Sequence, residues 1–233
     1  MRLINAKTLT LHEFFSKPPP YAILSHTWGD EEVPFQNMQE LARAAELQGF
    51  RKIQGCAREA LSNGYGWIWI DTCCIDKTSS AELSAAINSM FAYPPREVEF
   101  FSAEWKNLGT RTGLEDFLSE KTGIPKAALA GESLSTFPVA ERMSWASQRT
   151  TTQEEDMAYC LLGIFDVHMP LLYGEGSRAF VRLQEEILRR SEDLSVLLPG
   201  EDTDTSREAR YVSGNPVCLD LFNSQAQYFT SGK

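Results

Sequence analysis

Basic residues are scarce in this 233-residue chain: 22 lysines and arginines stand against 32 aspartates and glutamates, a formal charge of -10. Duplexes and anionic lipid surfaces are held largely by clustered positive side chains, so neither nucleic acid nor a membrane surface is an expected partner. Long apolar runs are lacking too. Stretches such as Cys160-Leu-Leu-Gly-Ile-Phe165 fall far short of the roughly 20 residues that a helical membrane span requires. Residues 1–12 contain no signal-peptide core. No C-x-x-C pair occurs, and the five cysteines (Cys56, Cys73, Cys74, Cys160, Cys218) are odd in number and sit in strand-like or helical surroundings. That argues against a disulfide framework and against a zinc site, and leaves reduced thiols in a soluble, cytoplasmic protein as the expectation.

What the chain does have is apolar content, 42% of residues, enough for a full core. Two short apolar strands end abruptly in polar and ring-bearing residues: Tyr21-Ala-Ile-Leu-Ser-His-Thr-Trp-Gly-Asp30 and Trp67-Ile-Trp-Ile-Asp-Thr-Cys-Cys-Ile-Asp-Lys77. Continuous apolar runs of this kind suit strands covered on both faces. Between them Phe50, Ile53, Ala57, Ala60 and Leu61 recur at helical spacing, and Asn63-Gly64 supplies a stop. The pattern predicts a βαβ unit with parallel strands, whose carboxyl ends share one edge. Open α/β sheets bind ligands in the crevice outside those ends, which gathers Ser25, His26, Trp28 and Gly29 with Asp71, Cys74 and Asp76 as candidate crevice residues.

Further along, Ser79-x-x-Glu82 reads as a capping box opening a helix to about residue 92, with Leu83, Ile87, Met90 and Phe91 as its apolar stripe and Pro94-Pro95 as its end. A third strand is expected near 97–101. Thr112-x-x-Glu115 and Thr152-x-x-Glu155 repeat the capping signature, and a last helix is expected from about Ser177 to Arg190 with Phe180, Leu183 and Ile187 inward. The fold class expected is therefore α/β, a short, mainly parallel sheet with flanking helices followed by a mostly helical half. Residues 199–208 have the composition of a solvated linker.

Each chemical reading has a plainer alternative. Ser25-His26-Thr27-Trp28-Gly29 offers an imidazole, a hydroxyl and a stacking ring, or simply a tight turn with a buried tryptophan. Asp71 or Asp76 is a candidate acid or base, or a group fixing the tautomer of His26. A Cys–His nucleophile is disfavoured, because Asp71 and Asp76 oppose a thiolate, and Cys74 reads better as a small packed side chain. Tyr173-Gly-Glu-Gly-Ser-Arg178 resembles a phosphate cradle only weakly, since it lacks a lysine and a preceding strand; a glycine turn with Ser177 as helix cap is favoured.

Taken together, Tyr-Ala-x-Leu-Ser-His-x-Trp-Gly at 21–29, Trp-x-Trp-Ile-Asp-x-x-Cys-Ile at 67–75, Arg142-Met-Ser-Trp-Ala-Ser-Gln-Arg149, Glu155 to Asp166, and Met-Pro-Leu-Leu-Tyr-Gly-Glu-Gly at 169–176 resemble the fungal heterokaryon incompatibility (HET) domain over about residues 1–197. The resemblance implies an effector domain of vegetative incompatibility that signals programmed cell death through self-association or a protein partner. It implies a fold similar to Toll/interleukin-1 receptor (TIR) domains, some of which are scaffolds and some of which hydrolyse NAD, so NAD is a candidate substrate. The domain division expected on this basis is an N-terminal segment at 1–20, the HET domain at 21–197, and a polar linker with a truncated tail at 198–233. Near 92–95 the chain lacks several dozen family-typical residues, including a strand and a Trp-x-x-x-Glu helix. Enzymatic activity is accordingly not expected, and the loss is expected to leave Ile68, Trp69 and Val98 exposed.

Overall fold

The structure, a computed structural model, describes residues 1–90, 98–147, 149–197 and 227–232. The proline stop at 94–95 and the linker expected at 199–208 lie outside the described residues. The chain divides into two compact units: Met1–Ala86 with Tyr93–Leu114 and Phe222–Lys233, and Ile87–Ala92 with Glu115–Leu221.

The first unit is built on one sheet. Its strands are β1 (Arg2–Asn5), β2 (Leu11–Glu13), β3 (Tyr21–His26), β4 (Trp67–Ile70), β5 (Val98–Phe101), β6 (Asn107–Thr110) and β7 (Gln227–Gly232), in the order β2-β1-β4-β3-β7-β5-β6. The expected pair is present: β3 and β4 are neighbouring parallel strands, with Ala22 opposite Ile68, Ile23 opposite Trp69 and Leu24 opposite Ile70. The sheet as a whole is not mainly parallel. Among the described residues the other five pairings are antiparallel. The reason is topological: one helical crossover joins β3 to β4, whereas β1–β2 and β5–β6 close as hairpins that can only return antiparallel. The N-terminal segment, separated at 1–20 in the expected domain division, enters the sheet as β1, which pairs with β4.

Helices α1 (Phe35–Met38), α2 (Leu41–Glu46), α3 (Phe50–Ser62), α4 (Asp71–Cys74) and α5 (Ser80–Ser89) follow the strands. Helix α3 is the crossover, and Gly64, at φ +80°, makes the reversal after it. The α3 face bearing Ile53, Cys56, Ala57 and Ala60 packs in one core with Ile4, Ala22, Leu24, Ile68 and Ile70 of the sheet. Burying each such large aliphatic side chain contributes about 1.5–3 kcal/mol. The opposite face is only half covered: Tyr21, Ile23, Trp67 and Trp69 are half-buried. Strands β3 and β4 thus alternate rather than being buried on both faces.

Ile68, expected to be exposed by the missing segment, is fully buried, while Trp69 and Val98 are half-buried. Strand β1 covers the flank of β4, and β7 occupies the slot between β3 and β5. Ser79 accepts the Glu82 amide at 3.3 Å, as a capping box requires. The glutamate half is diverted: Glu82 Oε1 accepts the Asp76 amide at 3.0 Å and pairs with Arg2. Helix α5 buries none of its side chains, and Met90 beyond it is exposed. Phe91, expected on the same stripe, lies outside the described residues.

The second unit is helical. It contains α6 (Glu115–Thr122), α7 (Lys126–Leu129), α8 (Val139–Ser144), α9 (Asp156–Tyr159) and α10 (Arg178–Arg190). Leu183 and Ile187 of α10, with Ala179, pack against Val139, Ala158, Tyr159, Leu161 and Val167, and Phe180 lies half-buried beside them. Among the described residues no helix is long and apolar enough to cross a membrane.

Candidate functional site at the parallel strand tips

Parallel pairing of β3 and β4 brings the two polar tips to one edge of the sheet. Trp28, two residues past β3, donates its indole N–H to Asp71 Oδ2 at 3.1 Å, directly beyond β4. The ring is held from another side by Lys77, whose Nζ lies 3.3 Å from its centroid. Burial pulls the Lys77 pKa down against the opposing pull of Asp71. Trp28 nonetheless remains 55% exposed. Of the two alternatives for this turn, a buried tryptophan or a displayed ring, the structure has the second: the ring is displayed and fixed.

The neighbouring half of the site rests on Glu32, which is not among the candidate residues of the sequence. Glu32 accepts the Gly29 amide at 2.7 Å and forms an ion pair with Lys52 of α3. Lys52 also donates to the Thr27 carbonyl at 2.9 Å. The side chain of His26 is 1% exposed, with Nε2 3.4 Å from Glu32 Oε2 in a geometry that does not make a hydrogen bond. Burial raises the Glu32 pKa, but His26, Lys52 and the Gly29 amide outweigh it and bring the carboxyl to about 2. Gly49 is required here for space: a Cβ on it would lie 2.8 Å from the Glu31 carbonyl and 2.9 Å from Glu32 Oε2. The signal for Glu32 was available as the acidic Gly29-Asp-Glu-Glu32 run, whereas nothing in the periodicity of α3 marks Lys52.

Asp76 closes its own turn. It accepts the Thr78 hydroxyl at 2.6 Å, the Thr78 amide at 3.0 Å and the Gln36 side chain at 2.9 Å. The Thr78 hydroxyl leads the groups that hold its carboxyl below the usual range.

The cysteines behave as packing. Cys74 is 2% exposed and its sulfur accepts the Ile70 amide at 3.4 Å. Burial drives the Cys73 and Cys56 thiols well above their ordinary value, which removes the thiolate that nucleophilic catalysis needs. Ser25 is exposed on β3, opposite residue 228 of β7. The seven candidates are therefore brought to one edge with different standing: Trp28 and Asp71 bond directly, Gly29 and His26 meet Glu32, Cys74 is in the core, Asp76 is tied to its own turn, and Ser25 faces outward. Among the described residues no group of three or more histidine, cysteine, aspartate or glutamate side chains is placed to hold a metal.

In the second unit the glycine-rich loop read as a weak phosphate cradle is already filled. The Glu155 carboxylate accepts the amides of Gly174 at 2.7 Å and Gly176 at 2.9 Å, both residues having positive φ. The Gly176 amide leads the groups that hold its pKa low, followed by the amides of Glu155 itself and Gly174. Ser177 occupies the N-cap position of α10, but its side chain makes no capping bond.

Residues 21–92, which contain both strand tips, match the family model described as Heterokaryon incompatibility protein (HET). The chain thus carries a HET domain. It is 39% identical over 270 residues to the vegetative incompatibility protein HET-E-1 of Podospora anserina, a match covering 93% of this chain and 20% of that protein. The chain therefore spans about a fifth of its relative's length. Since 93% of 233 residues is about 217, roughly fifty of the 270 aligned positions have no counterpart here. The family match stops at residue 92. No solved structure matches the chain significantly.

Proposed function

We propose that this chain is a vegetative incompatibility effector that acts in the cytoplasm and signals cell death by associating with itself or with a protein partner, using the strand-tip surface. The observation that carries this reading is Trp28. An exposed aromatic ring fixed by Asp71 at its N–H and by Lys77 at its face has already lost the rotational freedom that binding would otherwise remove. Rigid, partly exposed tryptophans are characteristic anchors of protein interfaces. The carboxylates around it are unsuited to act as free bases, because Glu32 and Asp76 each accept several bonds that stabilise the charged form. That disfavours NAD hydrolysis as the activity of this chain. The parallel β3–α3–β4 unit supports a likeness to TIR domains confined to that part of the sheet.

Inducible expression of the whole chain in a fungal host, with viable colonies counted, tests the reading. Loss of viability is expected; full viability at matched protein levels would contradict it. Nicotinamide release from NAD by the purified chain, assayed alongside, is expected to stay at background.

A further inference from the structure

Strand β7 lies inside the sheet, not at its rim. It pairs with all six residues of β3, from Tyr21 opposite Gly232 to His26 opposite Gln227. On its other side it pairs with all four residues of β5, from Val98 opposite Thr230 to Phe101 opposite Gln227. Among the described residues β3 and β5 make no direct pairing. Without β7 the sheet divides into β2-β1-β4-β3 and β5-β6, each presenting an unpaired edge toward the vacated slot.

The strand that fills this slot comes from far along the chain. Positions 198–226, 29 residues, separate Leu197 from Gln227. Fully extended they span up to about 100 Å, so covalent geometry does not confine residues 227–232 to their own copy. About fifty positions of the relative's aligned stretch are missing here, and the family match ends at 92, six residues before β5 begins. The family match ends ahead of β5, and the sheet beside β3 is completed by a strand from much further along the chain.

We propose that β7 is an exchangeable strand, which closes the sheet of its own copy when the protein is alone and occupies the same slot of a second copy when the protein associates. Backbone ladders are identical in the two cases, so exchange needs no new interface, only concentration. Reciprocal exchange between two copies gives a closed twofold dimer. This inference rests on the associating-effector reading and adds strand exchange between copies to the strand-tip contact through which that reading has the protein associate.

Register-matched cysteines test it. Residues directly opposite in an antiparallel pair have Cα atoms about 4.5–5.5 Å apart, within disulfide range. Two single variants of the whole chain, Ser25→Cys and Tyr228→Cys, are mixed at rising concentration, oxidised with glutathione disulfide and weighed under denaturing conditions. The unsubstituted chain and the out-of-register mixture of Ser25→Cys with Gly232→Cys are run in parallel, and the double variant Ser25→Cys/Tyr228→Cys reports pairing within one copy. The expected result is a covalent heterodimer of twice the chain mass, growing with concentration and absent from both controls. If the double variant closes only within single copies and the mixed singles never join, β7 is a fixed strand and the proposal is overturned. If neither links, β7 does not pair with β3 and the proposal is overturned as well. Heterodimers together with full viability in the fungal host would retain the exchange and discard the effector reading; toxicity without heterodimers would do the reverse.

Discussion

Trp28 Nε1 donates to Asp71 Oδ2 at 3.1 Å, joining the tips of β3 and β4 across 43 positions of sequence. The bond exists because parallel pairing sets Leu24 opposite Ile70 and so delivers both tips to the same edge. Trp28→Phe keeps the ring and removes the donor. Since the indole is half open to water, unfolding in urea should register a loss of only about 0.5–1 kcal/mol. Asp71→Asn should cost a similar amount, and the double variant little more than either alone, as a double-mutant cycle on one bond requires.

Glu32 should make part of the stability of the first unit depend on acid pH. Its ordinary value is 4.5 and its folded value about 2, so the folded state favours the ionised form. A folded value below the unfolded one means that the contribution is complete above about pH 4.5 and is lost as pH falls toward 2. Glu32→Gln should therefore flatten the pH dependence of the melting temperature across that window. At pH 7 the substitution should cost about 1–2 kcal/mol, the lower part of the range for charge-assisted bonds because Lys52 and Glu32 keep some contact with solvent.

Gly55 lies flush against the Trp105 indole: a Cβ on that residue would fall within the ring. Gly55→Ala should destabilise the protein by about 1–3 kcal/mol through overpacking, despite the better helix propensity of alanine. Combining it with Trp105→Leu should recover part of the loss. Full tolerance of Gly55→Ala alone, measured by thermal unfolding, would contradict this packing.

In the second unit, Glu155 is the internal anion of the Gly174–Gly176 loop. Glu155→Gln keeps an acceptor and should be milder than Glu155→Ala, which leaves two amides without their partner. Thermal unfolding should rank them in that order. Added phosphate should raise the melting temperature of Glu155→Ala more than that of the unsubstituted chain, because the vacated amides suit a small anion.

The strand tips were legible in the sequence because strand ends carry their chemistry in consecutive residues, and the crossover helix because Phe50, Ile53, Ala57 and Ala60 repeat on one face. Glu32 and Lys52 were not, because their pairing joins a loop to a helix 20 positions away and leaves no periodic trace. The antiparallel majority of the sheet was missed for the same reason. Strand β1 is four residues long and β7 lies more than 120 positions beyond β5, so neither declares its neighbour locally. Burial of Ile68 follows from the α3 face packed on it and from β1 pairing along β4, the second of which leaves no local trace.

The most direct test of the account compares the unsubstituted chain with Trp28→Ala in the fungal viability assay, with expression level and melting temperature measured on the same proteins. An exposed side chain contributes little to folding, so Trp28→Ala should remain folded, and if the fixed indole is the anchor of association it should abolish cell death. Unchanged killing by a folded Trp28→Ala protein would contradict the claim that the strand-tip surface carries the effector function.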